Sequence, residues 1–320
     1  NSKITPKPSQ CWSLEKLKNM KFERELLIGL YNKFHEEHLK EIDYELQEKS
    51  WTKGVSFALK KYYVSIKPDN ELFNVYFRPD YSGDLEFFFE IITKDFFAEK
   101  VKSLSLSYKD GAANGTMEID LKNLINKPTN FNNLETFKMS IESSDTNCVL
   151  ITDNAIFDEG GVCGKLLDKM PNAKKMILLA SPSSNFFERE YHPLNTLIVK
   201  TIYENNNFIE NLANSNCFKN LENLCFYDFD SYNTGEDDDI NTTFEHYVKL
   251  FNTLSLPNLK VLNILNLSLT DEQIEILKKQ SLAKQLKTLI LNKQLFGKDY
   301  EKYESKEERY WFLSTHFEIN

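Results

Sequence analysis

Four stretches of this chain hold residue types able to do chemistry. The first is His35-Glu36-Glu37-His38. Two histidines around acids suggest a metal, but the zincin arrangement sets them at i and i+4, with Glu between, on one helix face. Here the spacing is i, i+3 among charged neighbours, so surface histidines are expected. His192, His246 and His316 have no Cys or carboxylate at ligand spacing. The second and third stretches are rich in glycine: Asp110-Gly111-Ala112-Ala113-Asn114-Gly115 and Gly160-Gly161-Val162-Cys163-Gly164. Neither has the order of a phosphate loop or a dinucleotide fingerprint, so turns are expected. Cys163 falls near a helix start, a setting that lowers a thiol pKa, yet the sequence places no His beside it. No Gly-x-Ser-x-Gly elbow is present. The fourth stretch is acidic: Asp228, Asp230, Glu236, Asp237, Asp238 and Asp239. It reads as a solvated loop, as a docking patch for a basic partner, or as a Ca²⁺ site, and the last lacks the required spacing. The expectation is a chain that is not an enzyme and needs no cofactor and no metal.

The elements that carry these residues are set by one apolar pattern, apolar-x-x-apolar-x-apolar. It occurs at Val101/Leu104/Leu106, Leu134/Phe137/Met139, Ala173/Met176/Leu178, Leu194/Leu197/Val199, Leu221/Leu224/Phe226, Leu259/Leu262/Ile264 and Leu286/Leu289/Leu291. Successive copies begin between 21 and 39 residues apart. One such hexad means little, but seven mark a repeat whose unit is a short strand plus a helix or turn. Helices are expected between the strands near 164–170, 208–218, 244–254 and 270–280. The last begins with Thr270 and Gln273 at capping-box spacing. The 21-residue unit after Ala173, with Pro182 and Pro193, is expected to hold mostly loop. Upstream, Phe22 to Leu46 has the spacing of one amphipathic helix. Trp51 to Ile66 reads as one or two strands, Leu72 to Phe77 as another, and 84–98 as a helix.

Composition bounds the partners. The chain has 320 residues, 41% hydrophobic and 27% charged, with 24 Phe and 15 Tyr, enough bulk for a core. Its net charge is −9. That balance disfavours nucleic acid and anionic membrane, whose phosphates attract Lys and Arg, and suits a basic partner. No apolar run reaches membrane-spanning length. The five cysteines are scattered and odd in number, which suggests free thiols in a reducing compartment and a cytoplasmic chain.

Residues from about 70 to 295 resemble bacterial leucine-rich-repeat proteins of irregular repeat length. The strongest stretch runs from Leu221 to Leu291. It holds a strand, a loop with Tyr232, Gly235, Glu236 and Asp237, a helix, the lead-in Leu256-Pro257-Asn258-Leu259, and the helix start Leu269-Thr270-Asp271-Glu272. Met170-Pro171-Asn172-Ala173 is a similar lead-in. The resemblance implies an α/β leucine-rich-repeat solenoid, with parallel strands on the concave face and helices on the convex face. It implies no catalytic residues. The chain departs from the regular form in its uneven periods and in lacking an Asn ladder after the strand. Three regions follow: 1–68, helical and aromatic; 69–296, the array with a half-repeat cap; and 297–320, a C-terminal cap.

If the hexad residues face the helices, period two turns their neighbours to the concave face. The later copies put Ile177, Leu179, Ile198, Lys200, Tyr227, Asn263 and Leu265 there. An exposed apolar stripe of that length marks an interaction surface, unless the chain covers it with the 22–46 helix or the tail. The expected function is therefore protein binding through these residues together with Asp230, Glu236, Asp237 and Asp238 of the acidic loop. The alternatives are a structural subunit of an oligomer paired through the stripe, and an enzyme with a site between the N-terminal region and the repeats.

Overall fold

Alternation gives each hexad its strand, and the polar segment after it forces the chain to cross over before the next. A computed structural model places residues 25–26, 47–48, 55–59, 62–79, 84–108, 116–141, 147–151, 158, 160–200, 205–228 and 242–293, and the description below is of these. The strands are β1 (Gln47–Glu48), β2 (Val55–Leu59), β3 (Tyr62–Asp69), β4 (Leu72–Pro79), β5 (Val101–Tyr108), β6 (Thr116–Asp120), β7 (Thr136–Ile141), β8 (Asn147–Ile151), β9 (Lys175–Leu178), β10 (Thr196–Lys200), β11 (Asn223–Tyr227), β12 (Val261–Leu267) and β13 (Thr288–Lys293). The helices are α1 (Asp84–Ile92), α2 (Asp95–Ala98), α3 (Lys122–Ile125), α4 (Val162–Lys169), α5 (Phe208–Asn214), α6 (Phe244–Phe251), α7 (Asp271–Leu277) and α8 (Ser281–Gln285). The chain is thus mixed α/β.

Eleven strands form one sheet in the order β1-β2-β3-β4-β5-β7-β9-β10-β11-β12-β13. The first four pair antiparallel, and from β4 onward every pair is parallel. The turn of the β3–β4 hairpin holds Asn70 at φ 58°, a left-handed conformation that Asn tolerates. The expected boundary at residue 68 falls inside β3, and the sheet runs on through β3, β2 and β1 beyond the expected half-repeat cap. The strands β6 and β8, which the hexads do not announce, make a separate parallel pair.

The fourth and sixth residues of all seven hexads lie in strands of the large sheet. In the first six copies they are sealed from solvent together with the buried residues of the helices, such as Leu166, Leu212, Leu250 and Leu277. All the helices therefore cover one face. Aromatic stacking fixes some of them: Phe88 of α1 lies on Phe77 of β4 at 4.1 Å, and Phe208 of α5 on Phe226 of β11 at 4.8 Å.

Two local expectations change. The segment 84–98 breaks into α1 and α2 at Thr93, whose hydroxyl bonds the Phe89 carbonyl at 2.5 Å. Part of the 21-residue unit is a 3₁₀ turn, Ser184–Phe187, held by Phe186 and Phe187 packing on Phe218. The Thr270 capping box forms, and Thr243 with His246 forms a second. Of the expected 22–46 helix only residues 25–26 are described, and Leu26 is in the core. The expected cap at 297–320 lies outside the described residues.

An Asn ladder does exist, ahead of the strands. The residue before five of the seven hexads reaches across to the preceding unit. Asn133 Nδ2 donates to the Glu99 carbonyl, Asn172 to Asn132 and Asn258 to Lys219, each at 2.8 Å. Asn220 bonds the Tyr191 hydroxyl at 2.8 Å, and Gln285 takes the Leu256 and Leu259 carbonyls. Two places further on, charges alternate between units: Lys102–Asp69 at 2.7 Å, Lys174–Glu135 at 2.7 Å and Lys260–Glu222 at 2.6 Å.

Candidate functional site

On the face away from the helices, successive strands of the parallel sheet contribute side chains in register. Its side chains fall into rows. The leading row is Ser103, Thr136, Lys175, Thr196, Asn223, Val261 and Thr288, paired strand to strand. Six of these are half-buried and Thr288 is exposed. All but Val261 carry hydrogen-bonding groups. Asn223 Nδ2 donates to Thr196 Oγ1 at 3.3 Å, and that hydroxyl donates to Asn195 Oδ1 at 3.0 Å.

The second row is Ser105, Lys138, Ile177, Ile198, Cys225, Asn263 and Ile290, also in register. Ile177, Ile198 and Cys225 form a cluster of their own, with Leu265 packed against it. Here the structure departs from an open apolar stripe. Ile177 is 5% exposed and Ile198 7%, while Leu179, past the end of β9, is 4% exposed and joins the main apolar core instead of the stripe. Tyr227 and Leu265, paired in the third row, stay half-buried. Asn263 is only 3% exposed, and its Oδ1 meets no hydrogen-bond donor among the described residues. A buried acceptor left without a donor costs roughly 1–3 kcal/mol. Lys200 pairs with Tyr227 through the backbone register. Asp230, Glu236, Asp237 and Asp238 lie outside the described residues.

The ends of the acidic loop are nevertheless fixed. Asp228, just after β11, is buried and accepts the Thr242 hydroxyl at 2.9 Å and the Tyr247 hydroxyl at 2.6 Å. Asn205 Nδ2 donates to Thr242 Oγ1 at 3.3 Å, and Ser181 Oγ to the Asn205 carbonyl at 2.6 Å. Asp228 and Thr242, which flank residues 229–241, thus meet in one buried polar knot. Burial and the neighbouring Asp228 carboxylate push the Tyr247 hydroxyl well above the usual tyrosine range.

A second buried carboxylate, Asp158, organises the glycine-rich stretch. Its Oδ1 accepts the Cys163 N–H at 2.7 Å, and its Oδ2 accepts the Ser183 N–H at 2.7 Å and hydroxyl at 2.9 Å. Desolvation raises its pKa against those bonds. Gly161, at φ 65°, leaves room for Asn185: a Cβ there would meet Asn185 Nδ2 at 2.2 Å, and one on Gly164 at 2.4 Å. Asn185 Nδ2 donates to the Gly161 carbonyl at 3.0 Å. The glycines make space for this side chain and do not form a phosphate cradle.

The expected lowering at Cys163 is reversed. Burial, with the Asp158 charge beside it, drives that thiol well above its ordinary pKa. Burial pushes Cys225 up to about 12 and Cys217 to about 11. These three cysteines stay protonated at neutral pH and are poor nucleophiles. His192 is 3% exposed, with Nε2 at 3.1 Å from the Met170 carbonyl and Nδ1 without a partner. Burial lowers its pKa to about 4. Among the described residues no three His, Cys, Asp or Glu side chains converge as metal ligands, and no helix is long and apolar enough to cross a membrane.

Sequence reasoning missed the buried knots at Asp158 and Asp228. Asp228 was visible only as the start of an acidic run, and its partners Thr242 and Tyr247 come from the far side of the loop.

No protein-family model matches the chain. No curated protein matches it. Among solved structures it is similar to a Bacteroides fragilis protein determined by structural genomics, at 14% identity and a TM-score of 0.44, over 78% of this chain and 81% of that one.

Proposed function

We propose that this chain is a non-catalytic, cytoplasmic protein-interaction module built as a leucine-rich-repeat solenoid, binding its partner on the sheet face away from the helices. The observation that carries the reading is the leading row. From Ser103 to Thr288, six of seven successive strands bring hydroxyl, amide and ammonium groups to one half-exposed line, with Val261 the exception, at the spacing of adjacent strands, about 4.8 Å. Such a line matches the backbone carbonyls and carboxylates of an extended segment better than a small molecule.

The apolar residues behind it serve the row rather than the partner. Ile177, Ile198 and Cys225 pack together and hold the strands in register, while Tyr227 and Leu265 keep enough exposure to touch a ligand. The described positions of the face, from β5 on, include Lys138 and Lys175 and no carboxylate, in a chain of net charge −9. The face therefore suits an acceptor-rich segment, and the acidic loop a basic region of the same partner. Polar groups of this kind set specificity and association rate more than affinity, so binding through them weakens with salt.

The test is capture from native cell extract by the wild type, by Lys175→Glu/Asn223→Ala, and by Glu275→Ala on the helix side. A protein retained by the wild type and by Glu275→Ala but lost by the row variant supports the reading. Identical capture by all three folded chains overturns it.

A further inference from the structure

The face away from the helices continues past the parallel strands onto the β3–β4 hairpin. There Val64, Ile66, Val75 and Phe77 lie in the core, so the residues between them take the other face. The register joins them to the rows already described. Lys67 pairs with Asn74 and Asn74 with Ser103, which lengthens the leading row by two strands. Ser65 pairs with Tyr76 and Tyr76 with Ser105, ahead of Lys138 in the second row. Arg78 follows Phe77, which pairs with Leu106, and so stands level with Ser107 in the third.

The two halves of this face differ in chemistry. From β9 onward its centre is the Ile177, Ile198 and Cys225 cluster. In the three rows from β3 to β7, every described side chain instead carries a hydroxyl, an amide or a cation, and none a carboxylate. Asp69 and Glu135 stand at the rim where the parallel strands begin, held by Lys102 and Lys174. An acidic chain thus keeps its acids off this half of the sheet.

The placing of the cations says what anion they suit. Arg78, Lys138 and Lys175 descend one row at a time, from the third on β4 to the second on β7 and the first on β9. By strand separation and rise, their backbones are roughly 12 Å and then roughly 8 Å apart, on a nearly straight diagonal. A phosphate dianion is held best where two or three donors converge. Cations set this far apart match single carboxylates. In an extended chain, residues four and two places apart are about 13 and 7 Å apart. Ser107, Ser105 and Thr136 lie beside the diagonal, with hydroxyls able to donate to backbone carbonyls.

We propose that this diagonal binds an extended acidic peptide segment of a partner protein, with three carboxylates over about seven residues. They meet Arg78, Lys138 and Lys175 in turn. All three cations are half-buried, where ion pairs are less screened than in open solvent. The inference rests on the reading of this face as a binding surface, and it adds β4 to that surface and names the charge of the ligand.

The experiment is fluorescence anisotropy on the full chain with a labelled Glu-Gly-Ser-Gly-Glu-Gly-Glu peptide. Two further probes replace each Glu by Gln, or carry two adjacent phosphoserines and no Glu. The acidic probe is expected to bind at about 50 mM NaCl and to weaken at least about fivefold by about 300 mM. The Gln probe is expected not to bind. Lys138→Gln and Arg78→Gln, checked for unchanged unfolding midpoints, each weaken the acidic probe about threefold or more. Arg78→Lys keeps the charge and most of the binding, and Lys67→Gln, off the diagonal, changes it less than about twofold. Equal binding by Lys138→Gln and the wild type overturns the proposal. So does tighter binding of the phosphoserine probe, which would put a phosphopeptide on the face. The two readings fail separately. No binding of the acidic probe, with extract capture still lost by Lys175→Glu/Asn223→Ala, overturns this inference alone. No probe binding and capture unchanged in that variant overturn both.

Discussion

The two faces of the parallel sheet are made from alternate residues of the same strands, yet they obey different rules. Toward the helices, Leu197, Leu224 and Leu262 are sealed in one continuous apolar core. Away from them, Thr196, Asn223 and Val261, their immediate neighbours in sequence, stay half-exposed and mostly polar. The first face is fixed by volume and transfer energy. The second is less bound by that constraint, so its residues can vary without endangering the fold. The face is not uniform, however: Ile177, Ile198 and Cys225 form a buried patch in its centre.

The sharpest break between the faces comes from one substitution on each. Leu224→Ala opens a cavity in the sealed core and costs about 3 kcal/mol, to be read by denaturant unfolding. Asn223→Ala next to it changes stability by less than about 0.5 kcal/mol but loses the captured partner. Comparable losses of stability from both would erase the distinction.

Acid breaks the helix side next, through His192. Its folded pKa of about 4 lies below the ordinary 6.5, so the unfolded chain takes up the proton first. His192 therefore costs nothing above pH 6.5, and stability falls as pH drops from 6.5 toward 4, by up to about 3 kcal/mol. Asp158, raised by burial, acts with the opposite sign. Unfolding free energy measured from pH 7 to 4.5 is expected to fall less steeply in His192→Gln. A slope unchanged by that substitution would remove His192 as the cause.

Tyr247→Phe removes one of the donors to Asp228 and costs about 2 kcal/mol, since the buried carboxylate loses a short bond. Partner capture should weaken with it only if the base of the acidic loop positions the loop for binding. Smallest in size, and opposite in direction, is Asn263→Leu. Removing an acceptor that has no donor is expected to raise the melting midpoint by a few degrees, about 1 kcal/mol. Higher stability with weaker capture would mark Asn263 as kept for binding, whereas a lower midpoint would show that its oxygen is satisfied.

Much of this was legible in the residues. The hexads located seven strands of the large sheet because an apolar residue in position four or six has nowhere to go but the helix side. Thr270 and Gln273 announced their capping box because that bond is local in sequence. The Asn ladder escaped notice because it stands before the strand and joins Asn172 to Asn132, forty residues away. Ile177 and Ile198 read as exposed because alternation tells which face a residue takes, not what lies over that face.

The sequence by itself determined the period, the strands, the face each residue takes and the acidic balance, since these depend on neighbours within a few positions. The tertiary structure alone decided how well each group is solvated. It brought Thr242 and Tyr247 to Asp228, buried Cys163 beside Asp158 so that the thiol pKa rose where a helix start would have lowered it, and buried His192 with one nitrogen that meets no partner among the described residues. Solvation depends on segments far apart in the chain arriving at one place, and no local spacing encodes that.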